Sequence, residues 1–416
     1  MTRLWGEGKF SSFDSAFFSY MQSLKMDAVW FTGIPRHATA QPFVKGNPGS
    51  PYAVCDYLDT NPYLADRPER RLEEFRELVQ RAHEAGLKVV TDIVPNHVSP
   101  DAVNGIPVYD GWDYDWSDTR KIDWSNPQTL PKTAEILRFW AGLGVDGFRF
   151  DMVELVPLQS LADLLREVRS YYPELLCISE VYNMDSYGEF IAAGFDLLYD
   201  KSGFYDSARA ILTQGDSAQR LTWNWQRLGA SQPKMLNFLE NHDEQRFASP
   251  AFAGTPGKAY AAMAFATLFN DASVMLYFGQ EVGESAAEAA DGRTSIFNWC
   301  KPESVGRLYR ELHREKALTK TERSTLARYR KLMRESAKLP FSGSKNYDLC
   351  WCQGEGFDRD HHFAFVRYKG KRAELVVCNF SSEAATVRVR TPQGENFPAG
   401  EFEVQVPAYD YITMKI

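Results

Sequence analysis

What the chain has little of narrows it first. Its six cysteines, Cys55, Cys177, Cys300, Cys350, Cys352 and Cys378, form no dense framework and show no metal-type spacing with histidine. That points away from a disulfide scaffold or a zinc module and toward a reducing compartment. Cys177 sits in an apolar strand pattern and reads as an inert buried thiol. No apolar run approaches the roughly 20 residues that span a bilayer, so no membrane partner is expected. The first residues, Met1-Thr2-Arg3-Leu4-Trp5, lack a signal-peptide pattern. The expected location is the cytoplasm; a secreted chain with its signal removed would read the same. Positive charge is also short: Lys+Arg 47 against Asp+Glu 55 gives net −8, with no long basic run. That argues against nucleic acid or an anionic membrane as the main partner. No glycine-rich phosphate turn follows a strand.

Aromatic residues are plentiful, at 14% with 10 Trp and 20 Tyr. They suit a large core, and also platforms for flat apolar ligand faces such as sugar rings. Strand and helix patterns alternate along the first three quarters of the chain. Strands are expected near 28, 88, 146, 175, 195, 235 and 273, and helices over 14–25, 69–85, 130–142, 157–171, 186–193, 203–213 and 257–269. Apolar strands alternating with helices mean a parallel sheet covered by helices. Seven strands leave an open edge and eight close a barrel, so residues 2–5 are expected to supply the stub of an eighth. A doubly wound open sheet is the competing architecture. From about 338 short strands parted by turns replace the alternation: 349–352, 363–368, 374–378, 385–389 and 402–404. The expected domains are a barrel over 1–337 and an all-β sandwich over 338–416.

Polar clusters stand at the ends of four strands. Asp146-Gly147-Phe148-Arg149-Phe150-Asp151 ends on an acid, two residues after an arginine. Residues i and i+2 of a strand share a face, so Arg149 and Asp151 are neighbours. The others are Asp92-Ile93-Val94-Pro95-Asn96-His97, Ile178-Ser179-Glu180 and Leu239-Glu240-Asn241-His242-Asp243. Four such clusters fit a site at the C-terminal face of a barrel.

Taken together, Asp92…Asn96-His97, Gly147-Phe148-Arg149-Phe150-Asp151, Glu180 and Asn241-His242-Asp243 resemble, in order, the four conserved regions of glycoside hydrolase family 13, the α-amylase family. The resemblance covers nearly the whole chain. Ser50-Pro51-Tyr52-Ala53-Val54, Asn241 to Arg246 and Asp291-Gly292-Arg293-Thr294 look like the bacterial α-amylase-like branch. The resemblance implies a (β/α)8 TIM barrel with a C-terminal all-β sandwich. It implies Asp151 as nucleophile, Glu180 as general acid/base and Asp243 as the acid that holds sugar hydroxyls. It implies substrate contacts from Tyr52, His97, Arg149, His242 and Arg293, with Asp56 and Asp92 as structural supports. The implied activity is retaining hydrolysis of α-1,4 bonds in starch-type glucans or maltooligosaccharides. A transglycosylase or isomerase on α-glucosides, and a non-catalytic glucan-binding protein, are the alternatives.

The chain departs from the pattern in three places. Many amylases carry Lys-His three and four residues after the nucleophile; here those positions are Glu154 and Leu155. The excursion after the third strand, 98–128, is a short loop where the usual extra domain would be. That domain normally supplies most ligands of a structural calcium, so no cofactor is required by the pattern and Ca²⁺, with Asn96 as a ligand, is left open. The loop's Trp112, Trp116 and Trp124 either line the open site or pack the loop. Most of the family's first strand is missing, as in a truncated or misassigned start.

Overall fold

The structure is a computed structural model that describes residues 2–44, 49–111, 116–269, 271–294, 301–338, 343–394 and 396–416. Gly46 to Pro48, Trp112 and Cys300 lie outside the described residues. The chain divides into two compact units, residues 1–199 with 294–317 and residues 200–293 with 318–416.

The first unit is built on parallel strands. In chain order its strands are β1 (Ala28–Phe31), β2 (Pro35–His37), β3 (Val54–Thr60), β4 (Lys88–Ile93), β5 (His97–Val98), β6 (Arg120–Lys121), β7 (Gly147–Phe150), β8 (Leu176–Ser179) and β9 (Leu197–Tyr199). Strands β1, β4, β7, β8 and β9 lie side by side in that order, all parallel. Each is an apolar run, and β7 is buried at every position. Such strands have no solvated face and need helices on the outside. Helix Arg71–Glu84 supplies one cover, burying Phe75, Leu78, Val79 and Ala82 at helical spacing. Burial of each large apolar side chain there contributes about 1.5–3 kcal/mol. Its terminus is set by Gly86, at φ +76, from which the chain re-enters the sheet as β4.

The second unit contains the parallel pair β10 (Met235–Asn237) and β11 (Ser273–Val274). It also contains an antiparallel sheet of β12 (Lys345–Asp348), β13 (His362–Lys369), β14 (Arg372–Asn379) and β17 (Tyr411–Lys415), in the order β12-β13-β14-β17. β15 (Ala385–Thr391) pairs with β16 (Gly400–Val406). The two-residue alternation of β15, with Val387 and Val389 buried, is that of a half-covered sheet. Buried Arg367 of β13 donates to the carbonyl of Phe269 (3.0 Å) and to Asp271 (2.9 Å), and so pins the turn before β11 to this sheet.

Two expectations are corrected. Thr2–Leu4 is a 3-10 turn, not a strand stub. It is held by Thr2 Oγ1 donating to the Thr32 carbonyl (2.8 Å) just past β1, and by Trp5, buried against Phe13, Phe17 and Tyr309. Bulky side chains that anchor sideways leave the backbone free to coil. Cys350–Cys352 is likewise a 3-10 turn rather than a strand. Its N-terminus is taken by Asp348, whose Oδ1 accepts from Cys350 N–H at 2.7 Å. Helices Gln219–Leu228 and Glu303–Leu312 were not foreseen; the first fully buries Leu221 alone and leaves Trp223 exposed.

Candidate active site

Register places the first-unit residues. β4 pairs with β7 so that Asp92 faces Arg149, and β7 pairs with β8 so that Phe150 faces Ser179. The next residue on each of the latter two strands is an acid. Asp151 N–H donates to the Ile93 carbonyl (2.9 Å) and Glu180 N–H to the Phe150 carbonyl (3.0 Å), which carries the ladder one step further. Both acids therefore stand at the C-terminal ends of adjacent strands. Gly147 permits the close pairing: a Cβ there would sit 2.6 Å from the Leu176 carbonyl oxygen.

Arg149, fully buried, lies at the centre. Its Nη1 is paired with Asp151 Oδ1 and lies 3.5 Å from Asp92 Oδ1, and its Nη2 lies 2.7 Å from Glu180 Oε1. One cation thus serves three buried carboxyls. Three aromatic rings surround the guanidinium, Trp30 at 5.6 Å, Tyr52 at 5.7 Å and Tyr199 at 5.5 Å from their centroids. Burial would lower the pKa of Arg149, but the carboxylate of Glu180 and its neighbours more than reverse this, so the group stays charged.

The carboxyls are not equivalent. Burial pushes Glu180 up from its ordinary value; Arg149 opposes this and Asp151 adds to it. Glu180 Oε1 accepts from Tyr182 Oη (2.7 Å) and Oε2 from Met152 N–H (2.9 Å). Burial raises Asp92 to about 7, with Arg149 opposing and Asp151 reinforcing. Asp92 is buried. Asp56 accepts from Asn104 (2.9 Å) and Leu58 N–H (2.9 Å) and pairs with Arg36 (3.2 Å).

Two residues before Tyr52, Ser50 donates its hydroxyl to buried Asp118 (2.7 Å) on the loop after β5. Tyr52 also borders a cavity with Thr2, Thr32, Gly33, His37 and Asn61. His97 is buried, 3.2 Å through Nδ1 from Asn96 Nδ2, with its ring 4.8 Å from Trp116. Trp124 donates its indole N–H to the Pro95 carbonyl (2.8 Å), so it packs the loop. Asn96 Oδ1 is buried and accepts no hydrogen bond, which would suit a cation. Yet no group of three or more Asp, Glu, His or Cys gathers for a metal among the described residues.

The remaining predicted residues belong to the second unit. Asn241 Oδ1 accepts from the N–H groups of Asp243 (2.9 Å) and Glu244 (2.8 Å), forming a side-chain-closed turn after β10. That turn leaves the Asp243 side chain 42% exposed, with Oδ2 3.2 Å from Nε2 of buried His242. Arg293 is exposed, its N–H donating to Asp291 Oδ1 (3.1 Å). Behind the turn, Glu240 and Arg246 form a buried pair at 2.9 Å, and burial raises Glu240 to about 7.

Trp30, Tyr199, Tyr182 and Met152 escaped the sequence reading. Tyr182 was within reach, since it stands two residues beyond Glu180. Trp30 and Tyr199 needed the sheet order. Nothing in the sequence marks Met152, which takes a left-handed conformation (φ 44°).

An arginine bridging acids at adjacent parallel strand ends places the candidate site at the C-terminal edge of a β/α sheet. The model of the α-amylase catalytic domain matches residues 16–105 and 112–340, and the chain belongs to that family. It is 25% identical over 343 residues to neopullulanase 2 of Thermoactinomyces vulgaris, covering 72% of this chain and 55% of that protein. It is 26% identical to α-amylase MalA of Haloarcula japonica, covering 95% of this chain and 57% of the relative. The chain thus spans little more than half the length of these curated relatives. Among solved structures, the maltogenic α-amylase AmyB of Thermotoga neapolitana superposes with TM-score 0.74 at 22% identity, over 100% of this chain and 94% of its own. An α-amylase from Lactobacillus plantarum gives 0.73 at 23%, over 100% and 97%. The likeness shows the fold: the α-amylase β/α barrel with a C-terminal β domain.

Proposed function

We propose that this chain is a retaining glycoside hydrolase that cleaves α-1,4-glucosidic bonds in starch-type glucans or maltooligosaccharides. The observation that carries the reading is the single buried guanidinium of Arg149 paired with both Asp151 and Glu180. Neighbouring strands about 4.8 Å apart and a shared cation suit the roughly 5–5.5 Å carboxyl separation of double displacement. In this mechanism Asp151 attacks the anomeric carbon while Glu180 protonates the leaving oxygen. Glu180 then takes a proton from water as the water oxygen attacks the anomeric carbon and displaces the Asp151 carboxylate. The upward shift of Glu180 keeps it a proton donor toward neutral pH. Asp243 and His242 are assigned to sugar hydroxyls, Tyr52 to stacking under the ring, and Arg293 to a donor-side sugar. The names of the relatives, neopullulanase and α-amylase, agree with a glucan substrate. Calcium enters no step.

The test is a product profile over soluble starch, maltotriose, cyclodextrin, pullulan, sucrose and trehalose, for the wild type and Asp151→Asn. Shorter maltooligosaccharides from the wild type and none from the variant support hydrolysis. Longer or rearranged products replace it with transglycosylation or isomerisation. No products from the wild type, with glucan binding retained in both proteins, leaves a binding protein.

A further inference from the structure

Glu154 occupies one of the positions where the family's acceptor-side Lys-His pair is absent, and its carboxylate is already engaged. Its Oε2 accepts from Tyr182 N–H (2.9 Å) and its Oε1 from Asn183 N–H (3.1 Å). Glu154 belongs to the 3-10 turn Val153–Leu155, which starts from Met152 in its left-handed conformation. That same Met152 donates its N–H to Glu180 Oε2, while the hydroxyl of Tyr182 donates to Glu180 Oε1. One short turn after Asp151 therefore reaches Glu180 from two sides. It does so directly through the Met152 amide, and indirectly through Glu154, the backbone of 182–183 and the Tyr182 hydroxyl.

We propose that Glu154 is a positioning residue for Glu180, acting by clamping the 182–183 backbone so that the Tyr182 hydroxyl holds the acid's Oε1. This deepens the proposed hydrolase reading and rests on it for the word acid; the geometry does not. A carboxylate that accepts two backbone N–H groups makes charge-assisted bonds, stronger than neutral ones. Each Glu154 oxygen thus spends one of its lone pairs on the 182–183 backbone. A hydrogen bond donated to Glu180 favours its ionised form. Loss of the Tyr182 hydroxyl, or of the clamp that aims it, therefore moves the Glu180 titration upward.

The experiment is an infrared carboxyl titration in which each spectrum is referenced to the same protein carrying Glu180→Gln, so that Glu180 alone is read. It is run on the wild type, Tyr182→Phe, Glu154→Ala and the double variant, with Tm and kcat/KM against pH on the same preparations. Tyr182→Phe and Glu154→Ala are each expected to shift Glu180 upward, and the double variant to shift it no further than Tyr182→Phe alone. The basic limb of kcat/KM moves with the titration, and kcat/KM falls roughly 10-fold or more in Glu154→Ala. Glu154→Gln keeps one carbonyl acceptor and gives a smaller shift in the same direction, which covers the case that the alanine loosens the fold. A lowered Tm with Glu180 titrating as in the wild type overturns the proposal and leaves Glu154 a structural residue. A shift in Glu154→Ala without one in Tyr182→Phe overturns the route through Tyr182. If the shifts appear in a chain that hydrolyses no glucan, the clamp stands and the hydrolase reading falls.

Discussion

Arg149 is the residue on which the first unit's site turns. Replacing it with Met keeps the bulk of the side chain and removes the charge from among Asp92, Asp151 and Glu180. Breaking a buried pair by deleting one partner costs about 3–5 kcal/mol, so Arg149→Met is expected to lower the denaturation midpoint and abolish turnover together. Asp92 gives a second test. Its carboxyl titrates at about 7 in the folded chain, against roughly 3.9 unfolded. The folded state binds the proton more tightly, so its contribution is full below about pH 4 and is lost as pH rises to about 7. Buried Glu240, also raised to about 7, has the same sign. Thermal midpoints of the wild type should therefore fall over this window, and Asp92→Asn should flatten the fall. A midpoint that rises with pH in both proteins, through this range, would contradict the burial of these acids in protonated form.

At the scale of elements, the clearest test is Gly147. Its Cβ position meets the Leu176 carbonyl, a backbone atom with little freedom to yield. Gly147→Ala should part β7 from β8, costing about 1–3 kcal/mol in a denaturant titration. It should also lower kcat, because Asp151 and Glu180 ride on those two strands. The parallel strands were legible because short apolar runs alternate with helical patterns, and all of β1, β4, β7, β8, β9, β10 and β11 fall where that pattern put them. Arg149 beside Asp151 was legible because it needs only the two-residue period of a strand. The aromatic rings around Arg149 were not, since Trp30 and Tyr199 come from strands that only the sheet order brings near. Thr2–Leu4 misled because counting strands toward a closed barrel assigned it a role that its side-chain anchors do not need. Helix Gln219–Leu228 was hidden because Leu221, Trp223 and Trp225 also read as a two-residue alternation, which masks the helical spacing of Leu221, Trp225 and Leu228.

For the whole molecule, the acidic balance of −8 carries a prediction about kinetics. A glucan is neutral, so no charge on the protein steers it, unlike a charged ligand. Raising ionic strength from low to well above physiological should change kcat/KM for soluble starch less than about twofold, because the working ion pair is buried and poorly screened. Among the described residues no helix is long and apolar enough to cross a membrane. The arrangement around Arg149 has one more consequence. Asp92, Asp151 and Glu180 share the guanidinium of Arg149 among the described residues, so the cluster is hungry for a second cation. A sugar-shaped amine, protonated at its ring nitrogen, would satisfy that hunger where an uncharged analogue of equal shape cannot. Calorimetry should find such an amine binding roughly tenfold more tightly or better, with its advantage growing as rising pH takes the protons from Asp92 and Glu180, both raised by burial.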